Sequence, residues 1–132
     1  MSNFKTSLLT PDGAIFEGDV VSLNVPGSDG DFQVLHNHAA LMSTLDVGIA
    51  KVKTPDNKIT EFALSGGFVE VNQNVVTVLA EAAELANSID VERARASKQR
   101  AEERLRDTSM DRARAEASLR RAINRLKIAG AL

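Results

Sequence analysis

Val75-Val76-Thr77-Val78-Leu79-Ala80 and, eight residues on, Ser88-Ile89-Asp90-Val91-Glu92-Arg93-Ala94 belong to two different kinds of chain. The first is a short β-branched run, apolar on both faces, as in a strand at the centre of a sheet or one covered by helices. The second opens on a small polar residue and sets acids in what would be a first helical turn, where negative charge suits the helix dipole. From residue 88 to 129 there is no Gly or Pro, and Ala, Arg, Glu, Leu and Lys dominate. These are favourable helix formers. The chain therefore changes plan between these two stretches, and the rest of the 132 residues sorts onto one side or the other.

Composition divides at the same place. All ten arginines lie between Arg93 and Arg125, whereas every proline and phenylalanine and seven of the eight glycines lie at or before residue 68. Residues 1–86 carry four lysines against eleven Asp and Glu, a net of −7, and residues 87–132 carry twelve Lys and Arg against seven acids, a net of +5. The overall −2 thus hides an acidic front and a basic tail, and the tail can attract an anion. We expect a domain over 1–86 and a second over 87–132. With no cysteine, disulfides and thiolate metal sites are excluded. Neither a signal peptide nor an apolar run of the ~20 residues a membrane span requires is evident. The chain reads as soluble and intracellular, with any membrane association routed through a partner.

The front reads as antiparallel β. Phe4–Thr10 runs into the turn signal Pro11-Asp12-Gly13, and runs at 14–16 and 20–25 end at Pro26-Gly27-Ser28-Asp29-Gly30-Asp31. Runs at 32–35, 47–53, 59–65, 68–71 and 75–80 follow, with Thr54-Pro55-Asp56-Asn57-Lys58 as a hairpin connection and Ser65-Gly66-Gly67 as a turn or bulge. Short strands at this spacing, with no helix between them, predict a sandwich or barrel.

In the tail, Ser88 is the expected N-cap and Gly130 the stop. Asp107-Thr108-Ser109-Met110-Asp111 is a soft break whose side chains suit a turn or a second cap. Two states are open: a helical hairpin or one long rod. The apolar stripe is thin, with Ala94, Ala101 and Leu105 on one helix and Ala115, Leu119, Ala122, Ile123 and Leu126 on the other. So little area gives weak docking, and a weakly docked element is a candidate switch.

His36 and His38 form an H-x-H pair, with both rings on one side if the segment is a strand. A metal would need a third ligand, for which Asp29, Asp31 and Asp46 are the available acids; ordinary loop histidines are the simpler reading. Ser65-Gly66-Gly67 is not a phosphate loop, because a strand and not a helix follows it. No nucleophile–base set is present, so nothing points to catalysis. The arginines are the exception. Arg93 and Arg100 are seven apart, and Arg121 and Arg125 four apart, so each pair shares a helix face. An antiparallel hairpin can gather the four around an anion, whose phosphate oxygens match guanidinium forks. Asp90, one turn before Arg93, could accept from an amino group such as that of adenine. The plainer reading is a solvated face laced by pairs such as Glu102–Arg106 and Glu116–Arg120.

Four segments carry a resemblance over essentially the whole chain: Thr10-Pro11-Asp12-Gly13 with Phe16; Ala63-Leu64-Ser65-Gly66-Gly67-Phe68-Val69-Glu70-Val71; Ile89-Asp90-Val91-Glu92-Arg93-Ala94, which fits an [I/L]-D-x-x-R-A pattern; and Arg121-Ala122-Ile123-Asn124-Arg125-Leu126. They resemble the epsilon-subunit family of bacterial F-type rotary ATP synthases, counterparts of the mitochondrial delta subunit. The resemblance implies an α+β fold, a ten-stranded antiparallel β-sandwich followed by a two-helix antiparallel hairpin. It implies a non-catalytic rotor subunit at the cytoplasmic face of the bacterial plasma membrane. The sandwich would contact the gamma subunit and the c-ring, and the extended helices would reach the alpha/beta catalytic ring and block hydrolysis. ATP would be a regulatory ligand of the folded tail, with no metal required by the chain itself. By the same resemblance, Asp90 and Arg93, with backbone near Ile89 and Ala94, hold the base end, Glu84 lies beside the nucleotide, and Arg100, Arg121 and Arg125 hold phosphates. Asp29, Asp31 and His38 are the expected gamma and c-ring contacts. Where the family commonly reads L-P-G-H, this chain has Leu35-His36-Asn37-His38. Membrane insertion and nucleic-acid binding are not expected, and the isolated chain should be monomeric. The alternative from another class is a soluble module whose basic helix grips an acidic partner or nucleic acid. The lack of any aromatic after Phe68 speaks against base stacking.

Overall fold

The structure, a computed structural model, describes residues 3–106 and 111–131. It forms two compact units, Met1–Leu85 and Ala86–Leu132. The first holds eight strands among the described residues: β1 (Phe4–Thr10), β2 (Gly13–Val20), β3 (Ser22–Val25), β4 (Phe32–Val34), β5 (Leu41–Lys53), β6 (Ile59–Asn72), β7 (Val75–Ala80) and β8 (Ala83–Leu85). Their order is β2-β1-β7-β6-β5-β3-β4, with β8 added on β6.

The long strands β5 and β6 organise this unit. They pair from Leu41↔Val71 to Lys53↔Ile59, and the register lapses once, where Asp46 lies opposite Gly66. On one side of the lapse, β6 continues the ladder to β7, β7 to β1 and β1 to β2. On the other side, β3 joins β5 and β8 joins β6. Folded at that corner, the sheet becomes the two layers of a β-sandwich. The ten strands implied by the resemblance are therefore eight, because β5 and β6 each serve both layers. Ser65-Gly66-Gly67 lies inside β6 and does not separate two strands. Its φ angles of 106° at Gly66 and 142° at Gly67 make the corner. The all-antiparallel expectation also needs one correction: β1 and β7 run parallel.

Alternation in the strands builds one core. Leu8, Val69, Val71, Val76 and Val78 from one layer and Leu23, Val25, Val52, Phe62 and Leu64 from the other form a single buried cluster. Phe16 meets Phe62 edge to face, with ring centroids 6.2 Å apart. β7 is central, as its sequence predicts, but not apolar-packed on both sides, since Val75 and Leu79 are each 51% exposed. In the β5–β6 connection, the Asp56 carboxylate accepts from the Thr54 hydroxyl and from the Lys58 N–H. These bonds, the Thr54 one foremost, hold its pKa below the ordinary aspartate value.

The second unit is a helical hairpin, α1 (Val91–Arg106) and α2 (Arg112–Ile128). Ser88 is not the cap of α1; it closes a 3-10 turn at Ala86–Ser88. The cap is Asp90, whose Oδ1 accepts from the Arg93 N–H at 3.1 Å. Asp111 caps α2 in the same way, accepting from the Arg114 N–H at 3.0 Å. The rest of the expected break, 107–110, lies outside the described residues. α2 ends as expected at Gly130, with φ of 72°. The Ala131 N–H reaches back to the Leu126 carbonyl and the Gly130 N–H to that of Lys127, a Schellman end. The helices pack antiparallel, with Arg95 near the start of α1 donating to the Ala131 carbonyl beyond α2. Their seam buries Ala94, Ala101, Ala115, Ala122 and Leu126.

Candidate anion-binding site

Because α1 and α2 meet mostly through alanine, the side chains flanking the seam can converge. On one flank they enclose a cavity of about 170 Å³ lined by Ser97, Arg100, Arg104, Ser118, Arg121 and Arg125. Helical spacing accounts for this set. Ser97, Arg100 and Arg104 stand one turn apart on α1, as do Ser118, Arg121 and Arg125 on α2, and the antiparallel pairing sets the two rows against each other. Arg100 Nη2 donates to Ser97 Oγ at 3.1 Å and Arg121 Nη2 to Ser118 Oγ at 3.2 Å. No carboxylate is among the lining residues. Four guanidiniums and two hydroxyls around one hollow are suited to a multiply charged oxyanion.

Of the arginines singled out from sequence, Arg100, Arg121 and Arg125 line this cavity, and Arg93 does not. Arg93 lies exposed in the first turn of α1. Arg104 takes its place, one turn beyond Arg100. Sequence reasoning passed over Arg104, Ser97 and Ser118. Their signal was present as Ser-x-x-Arg twice, at 97–100 and 118–121, a spacing that puts a hydroxyl beside a guanidinium on a helix. Asp90 already uses Oδ1 as the helix cap. Ile89 is half-buried just before α1, and Ala94 is buried in the seam with its N–H on the Asp90 carbonyl. Glu84 belongs to the first unit, half-buried in β8 opposite Ala63.

The other expected contacts are on the sandwich. Asp29 and Asp31 are exposed in the connection between β3 and β4. His36 and His38 are not in a strand: Asn37, at φ of 64°, sits in a turn closed by the His38 N–H on the Leu35 carbonyl. The two rings consequently lack the common face that a strand would give them. His38 Nδ1 donates to the Ala39 carbonyl at 2.8 Å. Asn37 is held by Asn74, whose Oδ1 accepts from the Asn37 N–H and whose amide donates to Asn37 Oδ1. Among the described residues no group of His, Asp and Glu could hold a metal, and no helix is long and apolar enough to cross a membrane. Elsewhere in the hairpin, Glu92 pairs with Arg95 at 3.4 Å and Glu116 with Arg112 at 3.2 Å.

This two-part architecture, a β-sandwich followed by a helical hairpin, is matched by two family models, one for each part. The family model "ATP synthase, Delta/Epsilon chain, beta-sandwich domain" matches residues 3–86, and "ATP synthase, Delta/Epsilon chain, long alpha-helix domain" matches 87–130. The chain belongs to the ATP synthase delta/epsilon family, that of a non-catalytic component of the enzyme's central stalk. Among its relatives, the ATP synthase epsilon chain of Halalkalibacterium halodurans is 47% identical, covering 98% of this chain and 99% of the relative. That of Symbiobacterium thermophilum is 46% identical, covering 100% and 96%. In fold, the chain is similar to one in the Euglena gracilis mitochondrial ATP synthase, with a TM-score of 0.75 at 23% identity over 99% of this chain and 79% of that one.

Proposed function

We propose that this chain joins the gamma subunit to the c-ring through its sandwich and restrains ATP hydrolysis through its tail, with ATP holding the tail folded. The supporting observation is the convergence of Arg100, Arg104, Arg121 and Arg125 on one cavity in the closed hairpin. In an extended rod the α1 and α2 arginines would stand roughly 30 Å apart, at 1.5 Å per residue. A triphosphate would then have nothing to bridge, so its preference for the closed form follows from geometry. The magnitudes are compatible. At about 0.8 kcal/mol for each methyl-sized group, the four buried alanines contribute roughly 3 kcal/mol to closure and the buried Leu126 about 2 kcal/mol more. A ligand must favour one state by ~5.5 kcal/mol to carry a 1:99 equilibrium to 99:1, which is within reach of several charge-assisted phosphate bonds.

In this reading Arg100, Arg121 and Arg125 hold phosphates, and Asp90 and Arg93 hold the base end with the backbone of Ile89 and Ala94. The extended helices would reach the alpha/beta ring. Asp29, Asp31 and His38 contribute to the sandwich's partner surface. The chain would sit peripherally at the cytoplasmic face of the bacterial plasma membrane, held there by the complex. The test is an ATP titration of the full chain carrying Arg121→Ala and Arg125→Ala. Affinity should fall at least about a hundredfold, the loss of two charge-assisted contacts. Unchanged affinity removes the phosphate site.

A further inference from the structure

The two serines of the cavity have no assigned role, and each makes the same bond. Ser97 Oγ accepts from Arg100 and Ser118 Oγ from Arg121, each three residues along its own helix. We propose that Ser97 and Ser118 are part of the anion site, as anchors for the two guanidiniums and as neutral donors to the phosphate chain. This rests on the polyphosphate reading above and names two of its binding residues.

The argument starts from hydrogen-bond inventory. A serine oxygen that accepts from an arginine keeps its own hydroxyl proton. Both serines line the cavity, so that proton is available to an oxyanion lying there. An arginine that gives up one Nη hydrogen keeps four of its five, including those on Nε and the other Nη. Each Ser–Arg pair is then a combined donor, one neutral and one charged, on either side of the hollow. The anchoring has a second effect. Arginine is long and loses much rotamer freedom when it binds, and a guanidinium already held loses less.

The cavity also limits what it takes. Pockets for whole drug-sized ligands run from roughly 300 Å³ upward, and this one is about 170 Å³. Its six lining residues, four arginines and two serines, include no aromatic or aliphatic side chain to cover a base. It fits the phosphate chain and leaves the nucleoside outside, so the serines should matter equally for ATP and for inorganic triphosphate.

The experiment titrates the full chain with ATP and, separately, with inorganic triphosphate, following the heat of binding. The Ser97→Ala/Ser118→Ala variant should keep its helix content, since alanine is the better helix former. It should bind both ligands about tenfold to thirtyfold more weakly, the effect of two ordinary hydrogen bonds. Ser97→Thr/Ser118→Thr, which retains both hydroxyls, should recover most of the affinity. Wild-type affinity in the alanine variant, a loss confined to ATP, or no recovery with threonine would each overturn the assignment. Failure of the unsubstituted chain to bind either ligand would instead overturn the polyphosphate reading itself.

Discussion

A Cβ built on Gly67 would lie 2.0 Å from the Leu79 carbonyl oxygen, at a backbone φ of 142°. Both the conformation and the space exclude a side chain, and the occluding atom is backbone, which cannot rotate away. Gly30, at φ of 128°, has the same kind of backbone but open space around it. Gly67→Ala should therefore destabilise the sandwich by at least about 3 kcal/mol, whereas Gly30→Ala should cost only the conformational strain, about 1–3 kcal/mol. Denaturant midpoints of the two variants measure the difference, and equal midpoints would remove the crowding argument. The glycine pair was readable as a bulge or turn. The carbonyl that fills the space beside it was not, because Leu79 reaches Gly67 only through the β6–β7 pairing.

Both helices begin on an aspartate. Asp90 and Asp111 cap α1 and α2 by the same bond, a carboxylate oxygen on the N–H three residues on. Asp111→Ala should lower hairpin stability by about 1 kcal/mol. Hydrogen exchange should rise first at the amides of Arg112 to Ala115, and protection unchanged there would contradict the capping role. Asp111 was legible as a possible second cap. Ser88 is the expected cap of α1 because it would set Asp90 and Glu92 in the first turn, yet an intervening 3-10 turn moves the cap to Asp90. Strands show a similar limit. The first part of β5, Leu41 to Leu45, is not among the expected runs, although the strand continues unbroken through Asp46 to Lys53. Period-two alternation shows where side chains point; it is silent on whether two runs are one strand bent at a corner.

At the scale of the whole molecule, the two units have separate cores. The sixteen-residue buried cluster of the sandwich lies entirely within residues 4–80. A chain lacking residues 88–132 should thus fold, with a thermal midpoint close to that of the sandwich in the intact protein. In the assembled ATP synthase its presence should raise ATP hydrolysis severalfold at low ATP while leaving proton-coupled synthesis in place. Hydrolysis equal to that of the intact enzyme would show that the tail does not restrain it. The division into an acidic β unit and a basic helical unit was plain in composition, since each fold draws on its own residue types. The cavity was half legible. Arginine spacing marked three of its four cations, but which turns of α1 oppose which turns of α2 depends on the alanine seam and its register.

The sharing of β5 and β6 between layers has a mechanical result. In a sandwich built from two independent sheets, side-chain packing and the loops between sheets resist sliding of one layer over the other. Here two covalent backbones cross the corner, so a twisting load applied to one layer passes along peptide bonds into the second. A part that turns with a shaft benefits from such stiffness, because torque delivered at one surface then reaches the opposite one with little elastic lag.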